Sequence, residues 1–339
     1  MTRRLLFAVC SASVLAMAAA AAQQGRSQQQ GSTPVAAMFG VDQARNASLD
    51  RSFATVELPA TAAAAFPARV LLSAGDLERA FEMPEFRPDA AIISGNTDLD
   101  VTAASPATQT VLFDRVRKYP DVMRSVDEQV AARRKQPGGQ SPGSAEQGLL
   151  RIGMDFFVLQ LARPGTPPSG PFPRSACLVA TAFASGGGAV DRRELFVQDR
   201  VRKGIAGCLA ALDAGGARSV VVPLMGASSS LTQSNDAQFE GQRALKECRL
   251  INSTAGIALG VRDFAASRRS LREIGVVQWD KEITGMFEAP KGSRAATTAR
   301  AAYEQYAEQV RQVFRQGLGG RTTTAADLNG NCATILSGQ

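Results

Sequence analysis

Histidine is absent from all 339 residues of this chain, and that absence excludes more chemistry than any motif supplies. Ser-His-Asp and Cys-His nucleophilic sites, HExxH zinc sites and imidazole proton shuttles all need a side chain that titrates near neutrality. Any reaction here falls to carboxylates, amides, hydroxyls, lysine or water. The five cysteines include no CxxC pair, which removes zinc ribbons and thioredoxin-like redox sites. No metal and no cofactor is expected. One Trp and three Tyr offer little for base stacking, and the 38 Lys and Arg are interleaved with 31 Asp and Glu rather than gathered in one stripe. Nucleic acid is therefore not an expected partner.

What the chain does have, first of all, is a leader. Arg3 and Arg4 precede an apolar stretch over 5–14 and then small residues up to Ala22, the order of a secretory signal. The competing reading is a membrane anchor, but the second half of the uncharged run is nearly all alanine and weakly hydrophobic. Cleavage near residue 22, export to the periplasm or beyond, and no stable membrane span after cleavage are expected. Residues 23–50, opening on a Gln, Gly and Ser run, are read as a flexible polar tether. Losing Arg3 and Arg4 takes the formal charge from +7 to +5. Cys177, Cys208, Cys248 and Cys332 remain, and one or two disulfides fit an oxidising compartment. The first three sit in apolar periodic segments, so they are read instead as small buried hydrophobes.

From about 68 to 279 short β-branched runs alternate with helical segments, which predicts a three-layer α/β/α sandwich around a mixed sheet. Strands are expected over 68–73, 90–94, 156–161, 177–182, 219–224 and 274–279. The continuous run Val220, Val221, Val222 marks a strand covered on both faces. A helix is expected over 192–213, capped by Asp191 and Glu194 and stopped by Gly215 and Gly216. Further helical pattern covers 111–135 with a break at Pro120, then 238–250 and 253–266, either as two helices or as one bent one. The Pro- and Gly-rich stretches 136–148 and 163–173 read as insertions. The domain runs over 51–287, and 288–339 forms a C-terminal helix, over 294–316, with a polar tail.

Three strand ends carry the candidate chemistry. Leu72-Ser73-Ala74-Gly75-Asp76-Leu77 ends a strand in a Gly-Asp turn, and Asp89 to Asn96 is a buried strand running into small polar residues. The third, Val220 to Ser230, ends in a loop of Gly226, Ala227, Ser228, Ser229 and Ser230. Ligands of open α/β sheets bind at carboxyl strand ends, where small residues let backbone amides approach a phosphate. Taken together, Asp76, Ser94, Gly95, Asn96 and residues 226–230 outline a nucleotide-diphosphate cleft. Gly186-Gly187-Gly188 reads as a flexible connection rather than a phosphate loop.

The order of these segments resembles the macro domain, a family that binds ADP-ribose and related nucleotides and in some members hydrolyses ADP-ribose esters. The resemblance spans about 68–279. It implies that Asp76 contacts adenine and that Asn96 stands for the second Asn of a paired motif, with Ser94 and Gly95 beside it. Residues Gly226 to Ser230 would then line the phosphates. The chain departs from the pattern at Ile93, where the first Asn belongs, at Val101 to Thr110 in place of a Gly-rich stretch, and at Ser228 in place of a Gly. Three functions follow as expectations: binding of a nucleotide or other phosphate-bearing small molecule, hydrolysis through water positioned by Asn96 or Asp98, or a scaffold engaging a protein partner through the C-terminal helix.

Overall fold

The computed structural model describes residues 52–82, 87–95, 99–102, 107–135, 155–163, 166–179, 198–225, 236–279, 283, 287, 294–324 and 327. The predicted leader, the tether, the 136–148 insertion and the Asp191–Glu194 cap lie outside them. Strands β1 (Ser52–Leu58) and β2 (Ala68–Gly75) are followed by helix α1 (Leu77–Glu82), β3 (Ala90–Ser94), α2 (Ala107–Val116) and α3 (Pro120–Arg134). Then come β4 (Phe156–Gln160), β5 (Ser175–Val179), α4 (Gln198–Ala214), β6 (Ser219–Pro223), α5 (Asp236–Ala265), β7 (Glu273–Trp279) and α6 (Arg294–Leu318). The expected strands all form, within a few residues of their predicted ends. Pro120 opens α3, where its missing N–H costs nothing. The two helical segments after β6 are one helix of 30 residues.

One seven-stranded sheet runs in the order β1-β2-β7-β6-β3-β5-β4. The five inner strands are parallel, while β1 pairs antiparallel with β2 and β4 antiparallel with β5. The sheet is therefore mixed. Side-chain alternation divides the core in two: Ala90, Ile92, Val220, Val222, Ile274 and Val276 pack under α4, α5 and α6. Ala91, Ile93, Val221 and Val277 pack under α1, α2 and α3. Every residue of β6 is buried, as a strand with helices on both sides requires.

Sequence reading passed over β1 and α1. In β1, Ala54, Val56 and Leu58 face inward and Thr55 and Glu57 outward, but the alternation is interrupted by a register shift between Ser52 and Ala54. The cysteine reading is corrected outright. Cys177 on β5 and Cys208 on α4 form a disulfide, with Cα atoms 5.8 Å apart, and Cys248 on α5 is disulfide-bonded as well. Apolar periodicity reported their burial correctly and said nothing of pairing, because a disulfide is as buried as a thiol.

Close packing on the α4–α5–α6 side rests on glycine. A Cβ on Gly256 would lie 2.8 Å from the Gln198 carbonyl oxygen, one on Gly260 would lie 2.7 Å from that of Arg202, and one on Gly317 would lie 2.7 Å from the Ala258 Cβ. The three helices run parallel, since Gln198 and Arg202 lie against Gly256 and Gly260, and Gly317 and Gly320 lie against Ala258 and Arg262. Both α4 and α6 end in a left-handed glycine, Gly216 and Gly320. In each case the next N–H bonds back five residues, Ala217 to Leu212 and Arg321 to Gln316.

The amino-terminal pole of the parallel strands is tied down by side chains. Asp89 accepts from the Arg218 and Ser219 amides, joining the starts of β3 and β6. Asp213 accepts from the amides of Arg269, Ser270 and Leu271 at 2.7 Å each. Arg268, fully buried, donates to the carbonyls of Leu271, Pro59 and Phe66 and lies 5.2 Å from the Phe66 ring. Burial pushes its pKa down. At the β4 edge the Gln129 amide donates to the Gln160 carbonyl at 2.9 Å and accepts its N–H at 2.8 Å, as a neighbouring strand would.

The Cys177–Cys208 bond closes a loop with a sequence separation of 31, for which chain entropy gives about 3–4 kcal/mol of stabilisation. The Cys177→Ala, Cys208→Ala double variant is expected to lose roughly that amount in chemical denaturation, with a somewhat steeper denaturant slope because the uncrosslinked unfolded chain exposes more surface.

Candidate functional site

Which helix layer each strand leads into decides where this sheet is open. Past their carboxyl ends, β2 leads to α1 and β3 to α2, on one face; β6 leads to α5 and β7 to α6, on the other. Neighbours β2 and β7 thus send the chain to opposite faces, and so do β6 and β3. In open α/β sheets such a switch is the place where a ligand crevice generally lies, at the carboxyl ends of the strands. Here two switches flank the β7–β6 pair, and the distance from β2 to β3 is three strand spacings, about 14 Å.

At one end stands Asp76, directly after β2. Its Oδ1 accepts the Glu78 amide at 2.9 Å, which caps the short helix α1. At the other end, Ser94 is buried, shares the parity of Ile92 and so turns toward the α5 layer; it is engaged within the protein. Gly95 donates its N–H to the Val179 carbonyl at 2.9 Å, and a Cβ there would lie 2.9 Å from that of Leu178. Gly95 is thus held by packing against β5. Asn96, Asp98, Gly226, Ala227, Ser228, Ser229 and Ser230 lie outside the described residues. Ile93 points into the α1–α2 core and is fully buried, so the position of the first Asn in the macro motif serves packing in this chain.

Between the two ends lies a polar cluster that sequence reading missed. Tyr306 of α6 donates its hydroxyl to Gln278 Oε1 at the end of β7. Gln278 Nε2 reaches Thr254 Oγ1 of α5 at 3.4 Å, and Thr254 Oγ1 donates to the Leu250 carbonyl. All three residues are fully buried. Next to them Ser253 Oγ accepts the Met225 amide just past β6 at 3.0 Å. The signal was there, since Gln278 is the lone uncharged polar residue in Glu-Ile-Gly-Val-Val-Gln-Trp.

Because Ser253 meets the end of β6, the first half of α5 overhangs the sheet. Lys246 lies seven residues earlier, about 10 Å further along the helix. Arg243 and Lys246 share the helical side of Leu250, Thr254 and Ile257, which faces the sheet. Both cations are more than nine-tenths buried and engaged within the protein, and the Arg243 guanidinium lies 6.0 Å from the Phe287 ring. Among the described residues no group of three or more His, Cys, Asp or Glu could hold a metal.

Tyr306→Phe removes the one hydrogen bond described for Gln278 Oε1. The variant is expected to lose about 1–3 kcal/mol in thermal or chemical unfolding, and Tyr306→Leu to lose more.

No family model matches this chain, and no curated protein matches it. Among solved structures it is similar to the Oceanobacillus iheyensis macrodomain with ADP, at a TM-score of 0.42 and 8% identity, covering 79% of this chain and 96% of that one. Two mutants of that macrodomain match at TM-scores of 0.40 and 0.38, each at 7% identity. They cover 79% and 80% of this chain and 97% and 95% of theirs. A likeness at these values assigns neither ligand nor reaction to this chain.

Proposed function

We propose that this chain is an exported macro-like protein that binds a nucleotide or other phosphate-bearing small molecule of the ADP-ribose type. The observation that carries the reading is the pair of opposed crossovers around β7 and β6, the arrangement at which open α/β sheets hold ligands, with about 14 Å between β2 and β3. That length suits a molecule with a base at one end and a sugar phosphate at the other. Asp76 would take the base, as an acceptor for an exocyclic amine. Ser94, Gly95, Asn96 and the loop Gly226, Ala227, Ser228, Ser229 and Ser230 would take the phosphates and distal sugar, in the field of Arg243 and Lys246. Export is supported by the leader pattern and by the two disulfide-bonded sites, which belong to oxidising compartments.

Hydrolysis finds no comparable support, because Asn96 and Asp98 lie outside the described residues. A partner surface on α6 is also poorly supported, because Tyr306, Val310, Val313 and Phe314 of that helix are buried in the domain core.

Titration calorimetry with ADP-ribose and a nucleotide panel is expected to give saturable heat. Asp76→Asn keeps an oxygen to cap α1 and removes the charge, so it should weaken adenine-containing ligands roughly tenfold, about 1.4 kcal/mol, at unchanged stability. No heat from any member, with the protein folded, overturns the reading. For export, the mature chain in the extracytoplasmic fraction should begin after about residue 22; an intact leader in the cytoplasmic fraction rejects it.

A further inference from the structure

The chain doubles back after α6. Gly320, at φ 87°, reverses it beside Arg262. Three residues later the fully buried Thr323 offers its carbonyl to Gln198 Nε2 at 2.9 Å, and that nitrogen also donates to Asn252 Oδ1 at 2.8 Å. The segment has moved along α5 from the level of Arg262 to that of Asn252, back toward the carboxyl pole. Asp327 closes a turn there, accepting from the Thr324 amide at 2.8 Å and its hydroxyl at 2.7 Å and pairing with Arg321.

Asn252 is one helical turn from Cys248, to whose carbonyl its side chain donates at 3.0 Å. Cys248 is fully buried and disulfide-bonded. Cys177 and Cys208 are bonded to each other, and Cys10 lies in the predicted leader, leaving Cys332 in the exported chain. It follows Asp327 by five residues, a reach of up to about 17 Å, against about 6 Å for the single turn from Asn252 to Cys248.

We infer that Cys332 is the disulfide partner of Cys248, and that the bond fastens the C-terminal tail along α5 and braces the half of that helix that overhangs the sheet. This inference draws on export, which leaves Cys332 as the remaining cysteine, and is independent of ligand. Among the described residues the strands end at the level of Ser253, so the overhang depends on lateral attachments. Its basic side chains Arg243 and Lys246 are held in place through it.

The test is a tryptic digest of the full exported chain, alkylated before unfolding and left unreduced. The expected result is the peptide 247–249 linked to 322–339, beside 175–192 linked to 204–218, in protein that runs as a monomer on a non-reducing gel. Cys248 found alkylated, or linked to any peptide other than 322–339, overturns the pairing, as does a dimer that reduction dissolves. In a second arm, Cys332→Ser should expose one free thiol per chain, at Cys248, with Cys177–Cys208 intact. Amide exchange should quicken severalfold over 243–252 and stay unchanged over 256–265; unchanged exchange over 243–252 would reject the bracing role.

Discussion

Five parallel strands bury both faces of this sheet, and every connection between them has to cover one face or the other. That constraint determines the rest. The residues after β2 and β3 enter the α1–α2–α3 layer; those after β5, β6 and β7 enter the α4–α5–α6 layer. If all connections took one side, half the sheet would lie bare and no crevice would open. The same division yields two separate cores and places the switches of side on either flank of the β7–β6 pair.

The poles are built by different means. At the amino end, carboxylates and a guanidinium bind backbone groups directly: Asp89 across β3 and β6, Asp213 at the turn into β7, Arg268 beneath the β1–β2 connection. Such clamps leave little room for a ligand, because their hydrogen-bonding capacity is spent on the chain itself. At the carboxyl end, Gln278, Tyr306, Thr254 and Ser253 form a floor of neutral polar groups. Asp76 stands at one end, and Arg243 and Lys246 lie on α5.

Legibility in the sequence followed the strength of the local signal. Val220 to Val222 announced a central strand because a continuous β-branched run suits a strand buried on both faces. Pro120 and Gly216 were readable from their punctuation, whereas the sequence left open whether 238–266 made two helices or one, and the structure makes it one. Strand β1 was lost because its register shift breaks the alternation that would reveal it. The disulfide was lost because pairing is a property of two segments, β5 and α4, that sequence separation says nothing about. Asp76 and Gly95 were legible as strand-end positions, while Gln278 became meaningful only once Tyr306 was seen above it. Sequence gave no reason to bring α6 to β7.

The glycine seams of α5 have a mechanical consequence. With Gln198 and Arg202 backbone oxygens pressed against Gly256 and Gly260 on one side, and Gly317 against Ala258 on the other, the three helices interlock at near-backbone distance. Such a contact resists sliding, because a shift of one residue would bring a side chain where only a hydrogen atom fits. The α4–α5–α6 layer therefore moves as one stiff plate. Whatever adaptation the protein makes to an incoming molecule must come from the opposite wall or the strand-end loops, and the plate supplies a fixed surface for it to close against.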